Sequence, residues 1–465
     1  MQYISTRGDA PTLDFEGVLL AGLANDGGLY VPAAWPHLSA SALRALRGQT
    51  YAETAFAVTW PFVEGCIDAA AYKRILEETY ATFEHPAVTP LVQLGPDLWS
   101  LELFHGPTLA FKDVALQLLG RLFDHVLAKR GETIAIVGAT SGDTGSAAIE
   151  ACRDRKNIRI CILHPDGRTS EAQRRQMTTV DAPNVMNIAI EGDFDACQDL
   201  VKAMFADRGF REEVNLSAVN SINWARVMAQ IVYYVYAAVR LGAPDRPVAF
   251  AVPTGNFGNV FAAYAATRMG VPIQRLVIGS NANDILTRFF EAADMSMRPV
   301  APTLSPSMDI QVSSNFERLL FDLYDRDGHA VARAMREFRE TGRLSVGANR
   351  HGVATQLFRA ARFDDAATLE GIRALQARSG YLADPHTAVG LLAAEALPEA
   401  DCAMIVAATA HPAKFAAAIR QATGADPIMP DRLKAVFEKK ETYSVMPNDL
   451  KTVQAAVRKM AGATA

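Results

Sequence analysis

Lys112 is the residue whose type and position first suggest chemistry. It lies in an irregular stretch, Phe104–Asp113, that reads Phe-His-Gly-Pro-Thr-Leu-Ala-Phe-Lys-Asp, and a helical pattern of apolar residues follows. One interpretation is a solvated lysine in the first helical turn, since lysines are rarely fully buried. However, a positive charge opposes the dipole at a helix start. The position therefore favours an amine desolvated in an apolar pocket, where it can form a Schiff base.

A glycine-rich loop at residues 138–145 is a second candidate. It reads Gly-Ala-Thr-Ser-Gly-Asp-Thr-Gly and lies between a predicted strand and a predicted helix, where α/β sheets bind ligands. Its glycine spacing does not fit a dinucleotide-binding fingerprint, and no Gly-Lys-Ser/Thr follows it as in a Walker loop. With backbone N–H groups, its polar side chains could hold a small carboxylate; they are Thr140, Ser141, Asp143 and Thr144.

Two further strand ends carry polar groups. Gly255–Asn259 also lies between a strand and a helix and contains no charged residue. We expect it to bind a dianion through backbone N–H groups and the helix dipole. Thr409 follows an apolar strand, from which its hydroxyl could reach a heterocyclic nitrogen. A helix N-cap ahead of Pro412 is the alternative for Thr409.

Alternating strands and helices must position these loops from about residue 133 onward. Such alternation is typical of α/β folds with parallel sheets. Ser170 and Gln173 predict a capping box, and Asp193 predicts a helix N-cap. The first 90 or so residues lack this regular alternation of strand, loop and helix, which indicates a separate N-terminal domain. The predicted strands are residues 133–137, 158–163, 185–190, 214–219, 247–252, 275–278 and 403–407.

The composition disfavours several functional classes. The chain has 465 residues, 50% of them hydrophobic, which predicts two or three domains with sizeable cores. A net charge of −5 without a basic run gives no electrostatic footprint for nucleic acid or a membrane surface. The five cysteines are scattered without a Cys-x-x-Cys pair, which favours a reducing compartment over a disulfide or zinc framework. With no leader and no bilayer-length apolar span, we expect a cytoplasmic protein.

Taken together, these features resemble the threonine synthase family, in its branch with an extended N-terminal domain. That family belongs to the fold type II, or tryptophan-synthase-β-like, group of pyridoxal-phosphate enzymes. The resemblance covers nearly the whole chain, and the lysine motif together with the Ser-Gly-Asp-Thr-Gly loop is highly specific. The segments that carry it are Ile4–Gly8, Gly27–Pro32, Phe104–Asp113, Gly138–Ser146, Gly255–Asn259, Ser307–Phe316, Asp384–Gly390 and Val445–Leu450.

The resemblance implies an α/β fold of type II. Two open twisted α/β sheet domains would have the active site between them, and an N-terminal domain would precede them. A C-terminal tail would pack on the large domain. The expected limits are residues 1–95 for the N-terminal domain, 96–112 and 222–430 for the large pyridoxal-phosphate-binding domain, 113–221 for the small domain with the carboxylate loop, and 431–465 for the tail.

The resemblance also implies roles for the candidate residues. Lys112 would form the Schiff base with pyridoxal 5'-phosphate, and Thr409 would face the pyridine nitrogen. Asp143 stands where many relatives of the wider fold carry Asn, which leaves open the group that contacts the phenolic oxygen of the cofactor. The cofactor phosphate would bind to Gly255, Asn256, Phe257, Gly258 and Asn259, the substrate carboxylate to Ser141, Gly142, Asp143 and Thr144, and the leaving phosphate to Ser221, Asn223 and Arg226.

The implied activity is that of a carbon–oxygen lyase in threonine biosynthesis. O-phospho-L-homoserine would lose phosphate by γ-elimination and add water at Cβ, giving L-threonine, in a monomer or a homodimer. A phospho-lyase that releases 2-oxobutyrate and ammonia needs the same groups and is the closest alternative. A regulatory protein that keeps the cofactor without turnover is disfavoured by the intact lysine. A nicotinamide-dependent oxidoreductase is disfavoured by the loop spacing.

Four neighbouring features have no settled role at this level. His105 and His386 could be general bases, but loop hydrogen bonding and a helix start explain them at least as well. Asp113 is interpreted as a helix N-terminal charge rather than a proton acceptor. Ser307–Asn315 is typical of the family, without a physical account of what it does.

Overall fold

The computed structural model describes residues 1–140, 142–217 and 221–462. The chain divides into two compact units. Unit 1 comprises Met1–Val18, Leu23–His105 and Ser221–Ile428, and unit 2 comprises Leu19–Gly22, Gly106–Asn220 and Met429–Ala465. The limits expected for three separate domains stay predictions.

Polar side chains cap many of the helices. Thr50 and Glu53 form a capping box, in which each side chain accepts the backbone N–H of the other residue. Asp193 accepts the N–H of Ala196, which confirms the cap predicted there. The α-helices of the described residues are α1 (Phe15–Ala21), α2 (Ala40–Ala45), α3 (Tyr51–Val63), α4 (Ala69–Tyr80), α5 (Lys112–Arg130), α6 (Asp143–Cys152), α7 (Glu171–Thr178), α8 (Phe194–Ala206), α9 (Arg208–Glu213), α10 (Trp224–Arg240), α11 (Gly258–Arg268), α12 (Ile285–Ala292), α13 (Phe316–Leu323), α14 (Gly328–Thr341), α15 (Ala348–Leu357), α16 (Asp365–Ser379), α17 (Pro385–Ala396), α18 (Ala416–Thr423), α19 (Asp431–Phe437) and α20 (Leu450–Ala461).

The strands agree closely with the sequence pattern. They are β1 (Tyr3–Ser5), β2 (Tyr30–Pro32), β3 (Leu91–Gln93), β4 (Leu98–Glu102), β5 (Ile134–Ala139), β6 (Ile158–Pro165), β7 (Val185–Glu191), β8 (Leu216–Ser217), β9 (Val248–Pro253), β10 (Ile273–Ser280), β11 (Met295–Ser296), β12 (Arg343–Leu344), β13 (Phe358–Arg362), β14 (Ala403–Ala408) and β15 (Ser444–Pro447). Residues 218–219 of the strand predicted over 214–219 lie outside the described residues. The other predicted strands are confirmed, with limits that shift by no more than two residues.

The main sheet of unit 1 has the strand order β13-β10-β9-β14-β4-β3. All its neighbouring strands run parallel except β3, which is antiparallel to β4. Because β9 and β14 are parallel neighbours, their carboxyl ends lie on the same edge of the sheet. β9 leads into Gly255–Asn259 and β14 leads into Thr409. The fold thus brings these two predicted site segments to one edge.

The N-terminal segment of unit 1 is anchored by an ion pair. The guanidinium of Arg7 donates to both carboxylate oxygens of Glu317, at 3.0 and 2.8 Å. The hydroxyl of Thr6 donates to the same carboxylate at 2.6 Å and accepts the N–H of Leu29 at 2.8 Å. β1 pairs antiparallel with β2, so the two N-terminal motifs of the family fold together.

The main sheet of unit 2 has the order β15-β7-β6-β5-β8, with every neighbouring pair parallel. Its core is apolar, and α8 and α20 pack against the sheet there. This arrangement confirms the parallel α/β architecture predicted for this part of the chain. The buried residues of this core are Ala135, Val137, Cys161, Leu163, Ile188, Ile190, Cys197, Leu200, Met204, Phe210, Val214, Val453 and Val457.

The C-terminal tail belongs to unit 2, and the expectation that it packs on the large domain is wrong. β15 extends the sheet by pairing in parallel with β7, with Val445 opposite Ala189. Without β15, β7 would be an uncovered edge strand. Val453 and Val457 lie four residues apart on one face of α20, and that apolar face fills the core of the unit 2 sheet.

An ion pair ties the same tail to α7. Glu441 accepts hydrogen bonds from Nε and Nη2 of Arg174, at 2.8 and 3.0 Å, and from the hydroxyl of Thr178 at 2.7 Å. These hydrogen bonds, that of Arg174 foremost, lower the pKa of Glu441 to about 2. The tail therefore fixes α7 through a charged contact as well as through the sheet.

No helix among the described residues is long and apolar enough to span a membrane. Across the same ranges, no group of three or more His, Cys, Asp or Glu side chains is arranged to hold a metal ion. The five cysteines are free, and all but Cys66 are buried.

We expect Val457→Ala to lower the free energy of unfolding by about 2 kcal/mol, because it removes two buried methyl groups and leaves a cavity. Val353→Ala is the matched control, since Val353 is 57% exposed on a helix. Urea unfolding measures both, and hydrogen exchange shows which amides lose protection. Equal effects of the two changes would contradict the packing of α20 in the core of unit 2.

Glu441 predicts an acid-dependent loss of stability. Its folded pKa lies below the unfolded value, so its contribution is complete above the unfolded pKa near 4.5 and is lost as the pH falls towards about 2. Glu441→Gln should cost about 2 kcal/mol at pH 7 and nothing at the lowest pH. Glu171→Gln, which breaks an exposed pair with Arg175 on the same helix, should cost little at any pH. Parallel pH profiles for Glu441→Gln and the parent chain would disprove the assignment.

Candidate active site

Lys112 is the first residue of α5, and its side chain is only 11% exposed. Its Nζ lies 3.8 Å from Oδ2 of Asp143 and 5.7 Å from the centre of the Phe111 ring. Phe111, which precedes the helix, gives it no side-chain cap. An amine with so little exposure is largely shielded from water, and a nearby carboxylate offsets part of the desolvation cost of its charged form.

Gln173 holds that carboxylate. Its Nε2 donates to Oδ1 of Asp143 at 2.9 Å, while its Oε1 accepts the hydroxyl of Ser170 at 2.9 Å. Ser170 caps α7 as predicted, but Gln173 does not reach back to close the predicted capping box. The capping-box interpretation of Gln173 is therefore wrong, because the side chain is used for Asp143 instead. No local sequence pattern predicts this hydrogen bond, because its two partners lie thirty residues apart in the chain.

Asp113 fixes the loop that precedes Lys112. Its carboxylate accepts the N–H and the hydroxyl of Thr108, both at 2.7 Å. Gln176 adds a bond from its Nε2 to the carbonyl oxygen of Thr108 at 3.0 Å. Asp113 lies in the first turn of α5, where the sequence predicts a helix N-terminal charge, and it is fully buried, so it also clamps the loop.

The loop before α6 is shaped by Thr140. Its hydroxyl oxygen accepts the N–H of Gly142 at 3.0 Å and that of Gly145 at 2.9 Å. Thr140 therefore serves the loop itself. Gly142 and Asp143 are buried and Thr144 is half-buried, and the predicted role of this segment in binding a carboxylate stays a prediction. Ser141, also predicted there, lies outside the described residues.

The carbonyl groups of Gly255–Asn259, the segment predicted to bind an anion, are held by side chains from a distant part of the chain. Ser313 donates its hydroxyl to the carbonyl oxygen of Gly255 at 2.7 Å, and Asn315 donates its backbone N–H and Nδ2 to the carbonyl oxygen of Asn256 at 3.0 and 3.1 Å. In a planar trans peptide the N–H points opposite to the carbonyl, so the next N–H groups face away from this segment. Phe257 has a φ of +63°, which turns the chain into α11.

Two glycines of this loop pack closely against the segment that contains Ser307 and Asn315. A Cβ on Gly255 would lie 3.0 Å from the carbonyl oxygen of Ser307, and one on Gly258 would lie 3.2 Å from Nδ2 of Asn315. Asn259 is buried, and its Oδ1 accepts the hydroxyls of Tyr233 and Tyr234. Its Nδ2 has no protein partner. A buried donor of this kind fits a ligand acceptor such as a phosphate oxygen.

Thr409 is buried immediately after β14. Its backbone N–H donates to the hydroxyl oxygen of Thr387 at 3.1 Å. The short helix that follows, Pro412–Phe415, is capped by His411, whose Nδ1 accepts the N–H of Ala413. The alternative interpretation of Thr409 as a helix N-cap is therefore wrong.

Arg226 is a buried cation that has no carboxylate partner among the residues that the structure describes. It lies in the first turn of α10, is 4% exposed, and has Nε and Nη1 atoms with no protein hydrogen bond. Burial lowers the pKa of Arg226 to about 10, so it stays charged at neutral pH. Asn223, predicted beside it, caps α10 through its Oδ1. Ser221 is half-buried, and its carbonyl oxygen approaches Gly258 of the phosphate loop.

The two histidines differ in their surroundings. His105 hydrogen-bonds through Nε2 to Glu102 at 2.7 Å and is partly exposed. His386 is buried, and its Nδ1 lies 2.8 Å from Oδ2 of Asp384. The hydrogen bonds of His105 and His386 are explained by structural roles, loop hydrogen bonding for His105 and the start of a helix for His386.

Three family models match successive parts of the chain. Residues 2–80 match the family described as threonine synthase N terminus, residues 82–357 that of the pyridoxal-phosphate dependent enzyme, and residues 387–457 that of threonine synthase, C-terminal. The threonine synthase of Pseudomonas aeruginosa is 56% identical over 459 residues, which are 98% of each chain. The chain belongs to the threonine synthase family.

Solved structures of threonine synthases are similar over the full length. The pyridoxal-phosphate-bound threonine synthase from Brucella melitensis superposes with a TM-score of 0.98 at 52% identity, covering 99% of each chain. The yeast threonine synthase gives a TM-score of 0.95 at 39% identity, covering 100% of this chain and 99% of its own. The predicted fold type II class, with an N-terminal domain, is confirmed. The roles of individual site residues stay predictions.

Gln173→Glu should weaken the binding of pyridoxal 5'-phosphate by roughly ten-fold or more, because a donor to Asp143 becomes a second negative charge. A displaced Asp143 would no longer hold the amine of Lys112. Titration of the full chain with the cofactor, followed by absorbance, measures the affinity.

Gln454→Glu is the matched control for that experiment. Gln454 is also buried and donates to an aspartate, Asp207, at 2.9 Å, but no predicted site residue is among its partners. The control should bind the cofactor like the parent chain. If the two variants bind the cofactor equally well, Gln173 has no part in positioning Asp143.

Proposed function

We propose that this chain catalyses the threonine synthase reaction, which converts O-phospho-L-homoserine and water to L-threonine and phosphate with pyridoxal 5'-phosphate as cofactor. The observation that carries the proposal is the position of Lys112, an amine buried at a helix start 3.8 Å from a buried carboxylate. In a chain of the threonine synthase family, this is the group suited to bind the aldehyde carbon of the cofactor.

The described residues fit the rest of the cofactor. Gly255–Asn259 would hold its phosphate through backbone N–H groups and Nδ2 of Asn259, which lacks a protein partner. Thr409 would place its hydroxyl at the pyridine nitrogen; a neutral hydroxyl suits a nitrogen that is not protonated. When bound, the cofactor supplies an electron sink for negative charge at the substrate Cα.

Lys112 would then move the protons. With substrate bound, its Nζ would take the proton from Cα. Because an amine accepts only one proton at a time, it would pass that proton on to the cofactor, the electron sink, before it takes the proton from Cβ. Asp143 stabilises the protonated form of the amine between these transfers. Gln173 keeps Asp143 in position, and the amine is thereby available to return protons at the end of the reaction.

The substrate carries two anionic groups, and the chain offers a donor set for each. The predicted carboxylate segment, Ser141 to Thr144, would receive the carboxylate through backbone N–H groups and hydroxyls, and its last two residues begin α6. Arg226 would bind the phosphate with its unpartnered Nε and Nη1, assisted by Ser221 and Asn223. A planar guanidinium grips a phosphate through two parallel hydrogen bonds. Phosphate then leaves from Cγ, and water adds at Cβ.

Arg226→Met should separate activity from stability. The Michaelis constant for O-phospho-L-homoserine should rise roughly ten- to hundred-fold, because a charge-assisted hydrogen bond to the phosphate is lost. The free energy of unfolding should rise by about 2 kcal/mol at pH 7, where both the folded and unfolded arginine are charged and the desolvation cost is fully present.

Arg240→Met supplies the control on the same helix. Arg240 is exposed in the last turn of α10, so its change should alter neither quantity strongly. Inhibition by inorganic phosphate gives an independent measure, and it should weaken only in Arg226→Met. An unchanged Michaelis constant in Arg226→Met would remove Arg226 from the substrate site.

A product assay tests the proposed reaction. The purified chain is incubated with O-phospho-L-homoserine while phosphate, L-threonine and 2-oxobutyrate are followed together. Equal amounts of phosphate and L-threonine are expected. Phosphate with 2-oxobutyrate and ammonia would instead indicate the phospho-lyase, which family membership at 56% identity to a threonine synthase disfavours.

We also propose that the enzyme works in the cytoplasm as a monomer or a homodimer. Its free, mostly buried cysteines suit a reducing compartment. Light scattering coupled to gel filtration gives the mass in solution, and a mass above that of a dimer would contradict this part of the proposal.

A further inference from the structure

Asp384 is a fully buried carboxylate that accepts four hydrogen bonds. One oxygen accepts the backbone N–H and the Nδ1–H of His386, at 2.9 and 2.8 Å. The other accepts the backbone N–H of Thr387 at 3.1 Å and its hydroxyl. Asp384 therefore caps α17, and it also fixes the two side chains that follow. A helix cap alone needs only the backbone bonds.

The hydroxyl of Thr387 transmits this constraint to Thr409. A threonine hydroxyl has one proton, and here it is donated to Asp384. The oxygen lone pairs of Thr387 are therefore free to accept, and they accept the backbone N–H of Thr409 at 3.1 Å. Thr387 and Thr409 are both buried. The carboxylate thus determines which way the strand end at Thr409 is held.

The imidazole of His386 transmits the same constraint to Ser307. Because Nδ1 carries the proton donated to Asp384, Nε2 is an acceptor, and it accepts the backbone N–H of Ser307 at 3.3 Å. Ser307 begins the segment that lies against the phosphate loop, with its carbonyl oxygen 3.0 Å from the position of a Cβ on Gly255. The tautomer of His386 therefore supports one side of that loop.

α17 itself is packed closely on the sheet. A Cβ on Gly390 would lie 2.9 Å from the side chain of Pro253, the last residue of β9. β9 leads directly into the phosphate loop, so the start of α17 is fixed relative to the edge that carries the loop and Thr409. A small movement of Asp384 would therefore shift both the Gly255–Asn259 loop and Thr409.

We propose that Asp384 is a positioning residue for the bound cofactor, acting on its ring through Thr387 and Thr409 and on its phosphate through His386 and Ser307. The inference rests on the proposed function, in which Thr409 faces the pyridine nitrogen and Gly255–Asn259 binds the phosphate. It assigns a role to the Asp384–Thr387 motif and to the beginning of the Ser307–Asn315 segment.

A pair of variants at Thr387 tests the route from Asp384 to the cofactor ring through Thr387 and Thr409. Thr387→Val keeps the shape but removes the acceptor for Thr409, whereas Thr387→Ser keeps the hydroxyl. Titration of the full chain with pyridoxal 5'-phosphate should give a dissociation constant raised about five-fold or more in Thr387→Val and restored to within about two-fold in Thr387→Ser. Equal affinities of the two variants would overturn the inference.

Asp384→Asn tests both routes while it preserves the cap, because Asn caps helices as well as Asp does. The amide keeps one acceptor oxygen in place of two, so either the Nδ1–H of His386 or the hydroxyl of Thr387 loses its acceptor, and loss at His386 favours its Nε2–H tautomer. Nitrogen-15 NMR of the histidine ring in the holoenzyme reports that change. The dissociation constant of the cofactor should rise about ten-fold or more. Asp364→Asn, at the exposed cap of α16, should change neither.

The outcomes separate this inference from the proposed function. Thr409→Val is measured alongside, as a direct test of the hydroxyl at the pyridine nitrogen. If Thr409→Val weakens cofactor binding and Thr387→Val does not, the inference fails and the proposed site stands. If Thr409→Val has no effect, the assignment of Thr409 fails and the inference fails with it. An Asp384→Asn chain that behaves like Asp364→Asn would also overturn the inference.

Discussion

An amine held out of water 3.8 Å from a buried carboxylate is the interaction on which the site depends. A charged lysine in such surroundings is stable only if an opposite charge is held close to it. Gln173 holds Asp143 from α7, and Gln176 of the same helix holds the loop before Lys112. α7 is in turn fixed by the C-terminal tail. Through α7, the tail therefore supports the surroundings of Lys112 within unit 2.

Unit 1 contains a buried guanidinium whose hydrogen-bond acceptors are carbonyl and amide oxygens. Arg318 is almost fully buried, which lowers its pKa to about 9. It donates to the carbonyl oxygens of Tyr30 and Ile222, at 3.1 and 2.5 Å, and to the side chain of Asn315. Tyr30 belongs to the N-terminal segment, and Ile222 lies four residues before Arg226. Asn315 donates to the carbonyl oxygen of Asn256 in the segment predicted to bind the cofactor phosphate. The N-terminal segment is thereby connected to both predicted phosphate sites.

Local patterns predicted the elements and loops, because strand, loop and helix follow one another within about thirty residues. Local patterns located β9, β14 and the segments after them without any knowledge of which strands pair. They failed where a side chain serves a distant partner. Gln173 has the local pattern of a capping box, but its Nε2 donates to Asp143. The hydroxyl oxygen of Thr387 accepts the backbone N–H of Thr409, twenty-two residues away. Likewise, the tail pairs with β7, a strand formed more than 250 residues earlier.

The central claim is that Lys112 binds the cofactor. Among the described residues, Lys112 and Lys414 are the buried lysines, so burial alone does not choose between them. The holoenzyme is reduced with borohydride, which fixes the cofactor to the lysine that holds it, and the peptides are mapped by mass spectrometry. The cofactor mass is expected on the peptide that contains Lys112. Its presence on Lys414, or on any other lysine, would contradict the account.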